Sequence, residues 1–180
     1  MEFLEHNRRS IRLKDYDYSE NGYYYVTICT KNREEYFGKI INRKMHYSQI
    51  GEIVCKEWIR TEQIRENIKM DKFVVMPDHL HGIVIIENGI HVGAYCNTPL
   101  QTNKFRSPSN NLGAIIMGFK SSVKRWCNKN NFKHFQWQRN YYEHVIRDEK
   151  DLYEKRNYII NNPLKWKMNT NNMKTTCFLL

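Results

Sequence analysis

The fold turns on FVVMPDHLHGIVII, Phe73 to Ile86. Apolar and β-branched residues flank Pro77-Asp78, so a strand over 72–76, a break and a second strand over 79–87 are predicted. So short a connection implies antiparallel pairing. Working outward, YYYVTICT (Tyr23–Thr30) reads as an earlier strand. Tyr36–Ile41 and Met45–Tyr47 read as a hairpin around Asn-Arg-Lys. Ser48 has the character of an N-cap, and Ile50, Ile53, Val54, Trp58 and Ile64 then recur at mostly helical spacing, giving a helix over about 49–66. Asn111 is a second cap, for a helix over 112–129 with Leu112, Ile115, Ile116, Phe119, Val123 and Trp126 on one stripe. Residues 133–147 hold a short strand and a loop. Asp148 and Asp151 open a last helix, which is expected to stop at Pro163. Strands in runs with interspersed helices specify an α+β fold, an antiparallel sheet with helices packed on it.

The 180 residues suit a single domain. Residues 1–20 form a polar, basic arm containing Arg8, Arg9, Arg12 and Lys14. The stretch 88–111, rich in Asn, Ser, Gly and Pro without a sustained period, reads as a mobile loop, and 167–180 as a polar tail. No apolar run approaches the length of a membrane span, and the N-terminus lacks the apolar stretch of a signal peptide. The five cysteines include no Cys-x-x-Cys pair, so a disulfide framework or four-cysteine zinc site is not expected, and a reducing cytoplasm is. Twenty-nine Lys and Arg against 19 Asp and Glu leave a net charge of +10, which suggests a polyanionic partner. With 12 Tyr, 8 Phe and 4 Trp, the chain has the cations and flat surfaces that single-stranded nucleic acid needs.

Three groups of residues can carry chemistry. On a strand, His79 and His81 share a face while Leu80 points away; imidazoles about 6–7 Å apart at Cα can converge on one divalent cation. Two ordinary, hydrogen-bonded histidines are the plainer reading of an isolated His-x-His. On the last helix, Tyr158 and Asn162 are one turn apart on one face. A tyrosine hydroxyl can attack phosphorus, with the amide one turn on reaching the same metal; a core aromatic and a helix-end amide is the plainer reading. Finally, in WQRNYYEHVIR (Trp137–Arg147), Arg139 and Arg147 can hold phosphates, Trp137, Tyr141 and Tyr142 can stack bases, and His144 can orient a ligand or contact DNA. A satisfied polar loop is the alternative there.

Together these segments, with RRSIRLKDYDYSENGYYYVTICTKNREEYFGKI, LGAIIMGFKSSVKRW and YIINNPLKW, span roughly Arg8 to Trp166 and resemble the single-tyrosine transposases of the HUH superfamily. The branch most similar is the REP-associated tyrosine transposases, relatives of the insertion-sequence transposases. The resemblance implies a ferredoxin-like, RRM-like HUH-type domain over 21–166. It implies His79 and His81 as metal ligands, Tyr158 as nucleophile, and Asn162 as third ligand where insertion-sequence relatives carry Gln. Tyr153, with Asn157 four residues on, is a competing tyrosine; the family's placement just before the Asn-Pro pair favours Tyr158. The implied cofactor is Mg²⁺ or Mn²⁺. The implied reaction cleaves single-stranded DNA near a hairpin or palindromic repeat through a 5′-phosphotyrosine, which a 3′-hydroxyl can later resolve. Charge and position add Arg8, Arg9 and Arg12 as contacts to the bases flanking the hairpin and Lys120, Lys124 and Arg125 as contacts to phosphates. Monomer and homodimer both stay open. Two other readings compete: a non-catalytic nucleic-acid-binding module, and a metal-dependent hydrolase using activated water, for which Asp78 and Glu143 are scattered acidic candidates.

Overall fold

A computed structural model describes Leu13, residues 16–88 and residues 111–169. Arg8, Arg9 and Arg12, the loop except its ends Asn88 and Asn111, and the tail from residue 170 lie outside the described residues.

The elements are β1 (Gly22–Cys29), a short 3₁₀ turn (Lys31–Arg33), β2 (Gly38–Ile41), β3 (Lys44–Tyr47), α1 (Gln49–Gln63), β4 (Ile68–Met76), β5 (His79–Ile86), α2 (Leu112–Lys129), β6 (Tyr142–Ile146) and α3 (Glu149–Asn169). Four strands form an antiparallel sheet in the order β4-β5-β1-β6, and β2 and β3 pair separately. Without that hairpin, the chain runs strand-helix-strand-strand-helix-strand with β1 between β5 and β6, the ferredoxin-like arrangement. The hairpin turns through Asn42 and Arg43, both at positive φ, as a two-residue type I′ connection requires.

Local chemistry sets the boundaries. Ser48 Oγ accepts from the Gly51 amide at 3.1 Å, and Asn111 Oδ1 accepts from the Ala114 amide at 2.8 Å, so both expected caps are formed. β4 begins at Ile68, earlier than its apolar run suggests, because a register irregularity between Met70 and Phe73 absorbs the polar Asp71-Lys72 pair.

β1 alternates between two faces. Tyr24, Val26 and Ile28 point into the main core with Leu80, Val84 and Ile86 of β5, beneath α1 and α2. Gly82 belongs to this face: a Cβ there would come within 2.5 Å of Trp58 Cζ2, so the missing side chain admits the largest residue of the core. The opposite face is covered by α3, whose Ile159 packs on Tyr25, Ile83 and Ile146.

α3 does not stop at Pro163 but continues to Asn169. Proline removes only one backbone donor, and a helix survives that loss where packing holds it. Here the extra turns bring the Trp166 ring to 5.8 Å from His79, centroid to centroid.

Candidate active site

A histidine–carboxylate hydrogen bond and an ion pair lay α3 across its face of the sheet. His144 of β6 meets Asp151 at 2.6 Å at one edge, and Asp71 of β4 meets Arg156 at 2.6 Å at the other. Between these anchors the helix passes over the central strands, where His79 and His81 stand. Thr27 is in register with His81, and Cys29 with His79.

Both histidines are buried, at 1% and 4% exposure, and point towards α3. Their Nε2 atoms are 2.9 Å apart. Each ring is held from behind through Nδ1. His79 Nδ1 is 2.5 Å from Asp78 Oδ1, and Asp78 Oδ2 is 2.8 Å from Arg33 Nε. His81 Nδ1 is 2.7 Å from the Tyr25 hydroxyl and 2.8 Å from Thr27 Oγ1. Burial, and then the charge of Arg33, drives His79 well below the usual imidazole range; for His81 the order is burial, His79, then Arg33. Burial pushes Asp78 up to about 6 although Arg33 pulls the other way. Burial also raises Tyr25, so its hydroxyl keeps its proton.

The Tyr158 ring lies 5.2 Å from His81 and 6.3 Å from Tyr25 by centroids, and remains 38% exposed. Asn162, one turn on, is 5% exposed, and its carboxamide has no hydrogen-bond partner among the described residues. It lies along the helix between Tyr158, against His81, and Trp166, against His79. Tyr153 is 67% exposed.

This donor set fits a divalent cation. With Nδ1–H donating to Asp78 in His79 and to the Tyr25 or Thr27 hydroxyl in His81, two neutral imidazoles would present Nε2 lone pairs to an ion. Two ligands about 2.1 Å from one ion at right angles stand about 3.0 Å apart, close to the observed separation. Among the described residues no group of three or more His, Cys, Asp or Glu could hold a metal ion, and Asn162 on α3 is a buried amide.

The expected DNA-contacting residues divide. Lys120, Lys124, Arg125, Trp137 and Arg139 line a groove of about 910 Å³ between α2 and the segment before β6. Lys120 Nζ donates to the carbonyls of Gln138 (2.6 Å) and Asn140 (2.9 Å), and Lys124 Nζ to those of Lys133 (3.0 Å) and Phe135 (2.5 Å). Burial lowers Lys120 to about 8. Both lysines therefore hold the groove wall, and Arg125 and Arg139 are its exposed cations. Trp137 donates to the Lys120 carbonyl at 3.0 Å and packs among Phe37, Phe119 and Phe135. Tyr142 is in register with Thr27 on the histidine face, His144 is engaged by Asp151, and Arg147 is exposed just past β6. Sequence reasoning missed Tyr25, Thr27, Arg33 and Trp166. Alternation along β1 already placed Tyr25 and Thr27 on one face, but only strand pairing shows that they meet His81.

A ferredoxin-like sheet with a His-hydrophobic-His pair facing a helix tyrosine is the arrangement that the sequence resemblance leads one to expect. No family model matches the chain. A solved structure of a REP-associated tyrosine transposase bound to a REP hairpin shares the fold, with a TM-score of 0.59 at 19% identity over 86% of this chain and 73% of that one. An uncharacterized protein of Haemophilus influenzae (strain ATCC 51907 / DSM 11121 / KW20 / Rd) is 45% identical over 166 residues, 89% of this chain and 91% of its own length. Another from that strain, carrying the name of a REP-associated tyrosine transposase, is 27% identical over 157 residues, 83% of this chain and 74% of its own. The chain thus shares the fold of a REP-associated tyrosine transposase and resembles in sequence a relative that carries that name.

Proposed function

We propose that the protein is a metal-dependent enzyme that nicks and rejoins single-stranded DNA beside a hairpin, with Tyr158 as nucleophile. The observation that carries this reading is the approach of the two Nε2 atoms to 2.9 Å beside a half-exposed tyrosine. His79, His81 and Asn162 would hold Mg²⁺ or Mn²⁺. A divalent ion supplies Lewis acidity towards the scissile phosphate. The Tyr158 oxygen attacks phosphorus; the phenolic O–P bond forms as the P–O3′ bond breaks. The phenolic proton is lost to solvent and the departing 3′ oxygen gains one. The 5′-phosphotyrosine conserves the bond energy, so a 3′-hydroxyl can reverse the step without a nucleotide cofactor. Tyr25 and Thr27 orient His81, and Ile159 seats the helix so that the phenol reaches the site.

Arg125 and Arg139 offer phosphate contacts in the α2 groove, whose wall is joined to the active end of β1 where the Gln138 amide donates to the Cys29 carbonyl at 2.9 Å. The hairpin held by the solved relative supports a hairpin-bearing substrate here.

The test is incubation with Mn²⁺ and labelled single strands carrying a hairpin, followed by denaturing electrophoresis. A covalent protein–DNA adduct is expected, and it vanishes in Tyr158→Phe. Cleavage without an adduct would establish the hydrolase instead, and binding without cleavage the binding module.

A further inference from the structure

We propose that Arg33 is a positioning residue for the metal pair, acting through Asp78 on His79. The inference rests on the metal-site reading above and adds residues that sequence motifs do not supply.

The two histidines are supported differently. His81 leans on two neutral hydroxyls from its neighbouring strand, a by-product of sheet register. His79 leans on a carboxylate that sits at the β4–β5 turn and must itself be fixed. Three contacts fix it. The Thr30 amide donates to the Asp78 carbonyl at 2.9 Å, the Thr30 hydroxyl, shared with the Glu34 carbonyl at 2.7 Å, lies 3.0 Å from it, and Arg33 Nε takes the side-chain oxygen that His79 leaves free. The two carboxylate oxygens are thus divided, one to the imidazole and one to the guanidinium.

The backbone that delivers Arg33 is unusual. Asn32 (φ 56) and Arg33 (φ 58) are consecutive residues in the left-handed region, which Asn visits readily and Arg seldom. A non-glycine held there against its preference needs surrounding contacts that over-determine it. Arg33 has them: beside the Asp78 pair, its Nη1 donates to Cys29 Sγ at 2.9 Å, and Cys29 is in register with His79. The turn therefore folds Arg33 back across the end of β1 and aims its planar fork at the carboxylate behind the metal ligand. A lysine has the charge but lacks the fork, so it cannot divide the oxygens in the same way.

Mn²⁺ affinity, measured by calorimetry without DNA, tests the inference. Outer partners of ligating histidines typically govern roughly 10–100-fold in metal affinity. Asp78→Asn is expected in that range, and Arg33→Ala at roughly 3–10-fold, with Arg33→Lys recovering part of the loss. Because Arg33 works through Asp78, the double variant should match Asp78→Asn within about twofold. Metal-free melting and salt-sensitive DNA binding confirm that each variant folds. Unchanged or tighter Mn²⁺ binding in Arg33→Ala overturns the proposal, as does an Arg33 effect that persists in full in the Asp78→Asn background. If His79→Ala binds Mn²⁺ as well as the unaltered protein, the metal-site reading itself fails and takes the proposal with it.

Discussion

One sheet carries two unlike faces. Beneath α1 and α2, β1 contributes Tyr24, Val26 and Ile28, and the space is filled by apolar side chains that include Trp58, Phe119 and Phe135. Beneath α3, the same strand contributes Tyr25 and Thr27, and the apolar cluster comprises Tyr25, Ile83, Ile146 and Ile159, with Tyr23, Val74 and Leu152 beside it. The remaining area is given to two buried imidazoles, their hydrogen-bond partners and a buried amide. Apolar burial scales with area, so the first face supplies most of the fold's stability. The second face holds polar groups, each of which is costly if left unpaired. Alternation along a single strand separates the two tasks.

The largest effect expected from this division is chemical. Tyr158→Phe should lower adduct formation by roughly a thousandfold or more while melting temperature and DNA affinity hold; a loss of stability would show that the α3 face also carries the fold. Next comes the core. Trp58→Ala should lose about 3–5 kcal/mol in urea unfolding, whereas Thr27→Val should change stability by less than about 1 kcal/mol and weaken Mn²⁺ binding. Equal losses in the two variants would erase the distinction between faces. Gly82→Ala probes the boundary: its new methyl meets Trp58, and a loss of about 1–3 kcal/mol is expected from overpacking.

The smallest effect lies at the rim. Burial raises Asp151, but the hydrogen bond and charge of His144, the charge of Lys155 and a backbone hydrogen bond from Arg147 together more than reverse it, so its carboxyl lies below the ordinary 3.8. A depressed carboxyl contributes stability that is present above the ordinary value and lost as pH falls through the folded one. Asp151→Asn should therefore cost at most about 0.5 kcal/mol near neutrality, with the gap closing as the pH drops below about 4. A gap that widened in acid would mean that the helix is not held by this pair.

Much of this was legible in the sequence, for local reasons. Ser48 and Asn111 announce their helices because capping is a short-range hydrogen bond, and YYYVTICT and HLHGIVII announce strands by composition. The pairing of His79 with His81 follows from alternation alone. What escaped depends on tertiary contact. Pro163 looks like a terminator until Trp166 is seen against His79. Lys120 and Lys124 look like free cations on a helix until their ammonium groups are found on carbonyls before β6. Trp137 reads as a stacking platform from its basic, aromatic neighbourhood, yet it packs within an aromatic cluster. Asp78 precedes the motif directly, but its role depends on Arg33, 45 positions earlier in the chain.

The contact between Gly82 and Trp58 ties these accounts together. Gly82 immediately follows His81, so the indole props the strand from the side opposite the imidazoles. In a genetic screen for lost DNA processing, lesions at Trp58 and Gly82 would score beside lesions in the histidines, although both residues lie on the opposite side of the sheet from the imidazoles. Such hits would record how thin the wall is between the scaffold and its chemistry.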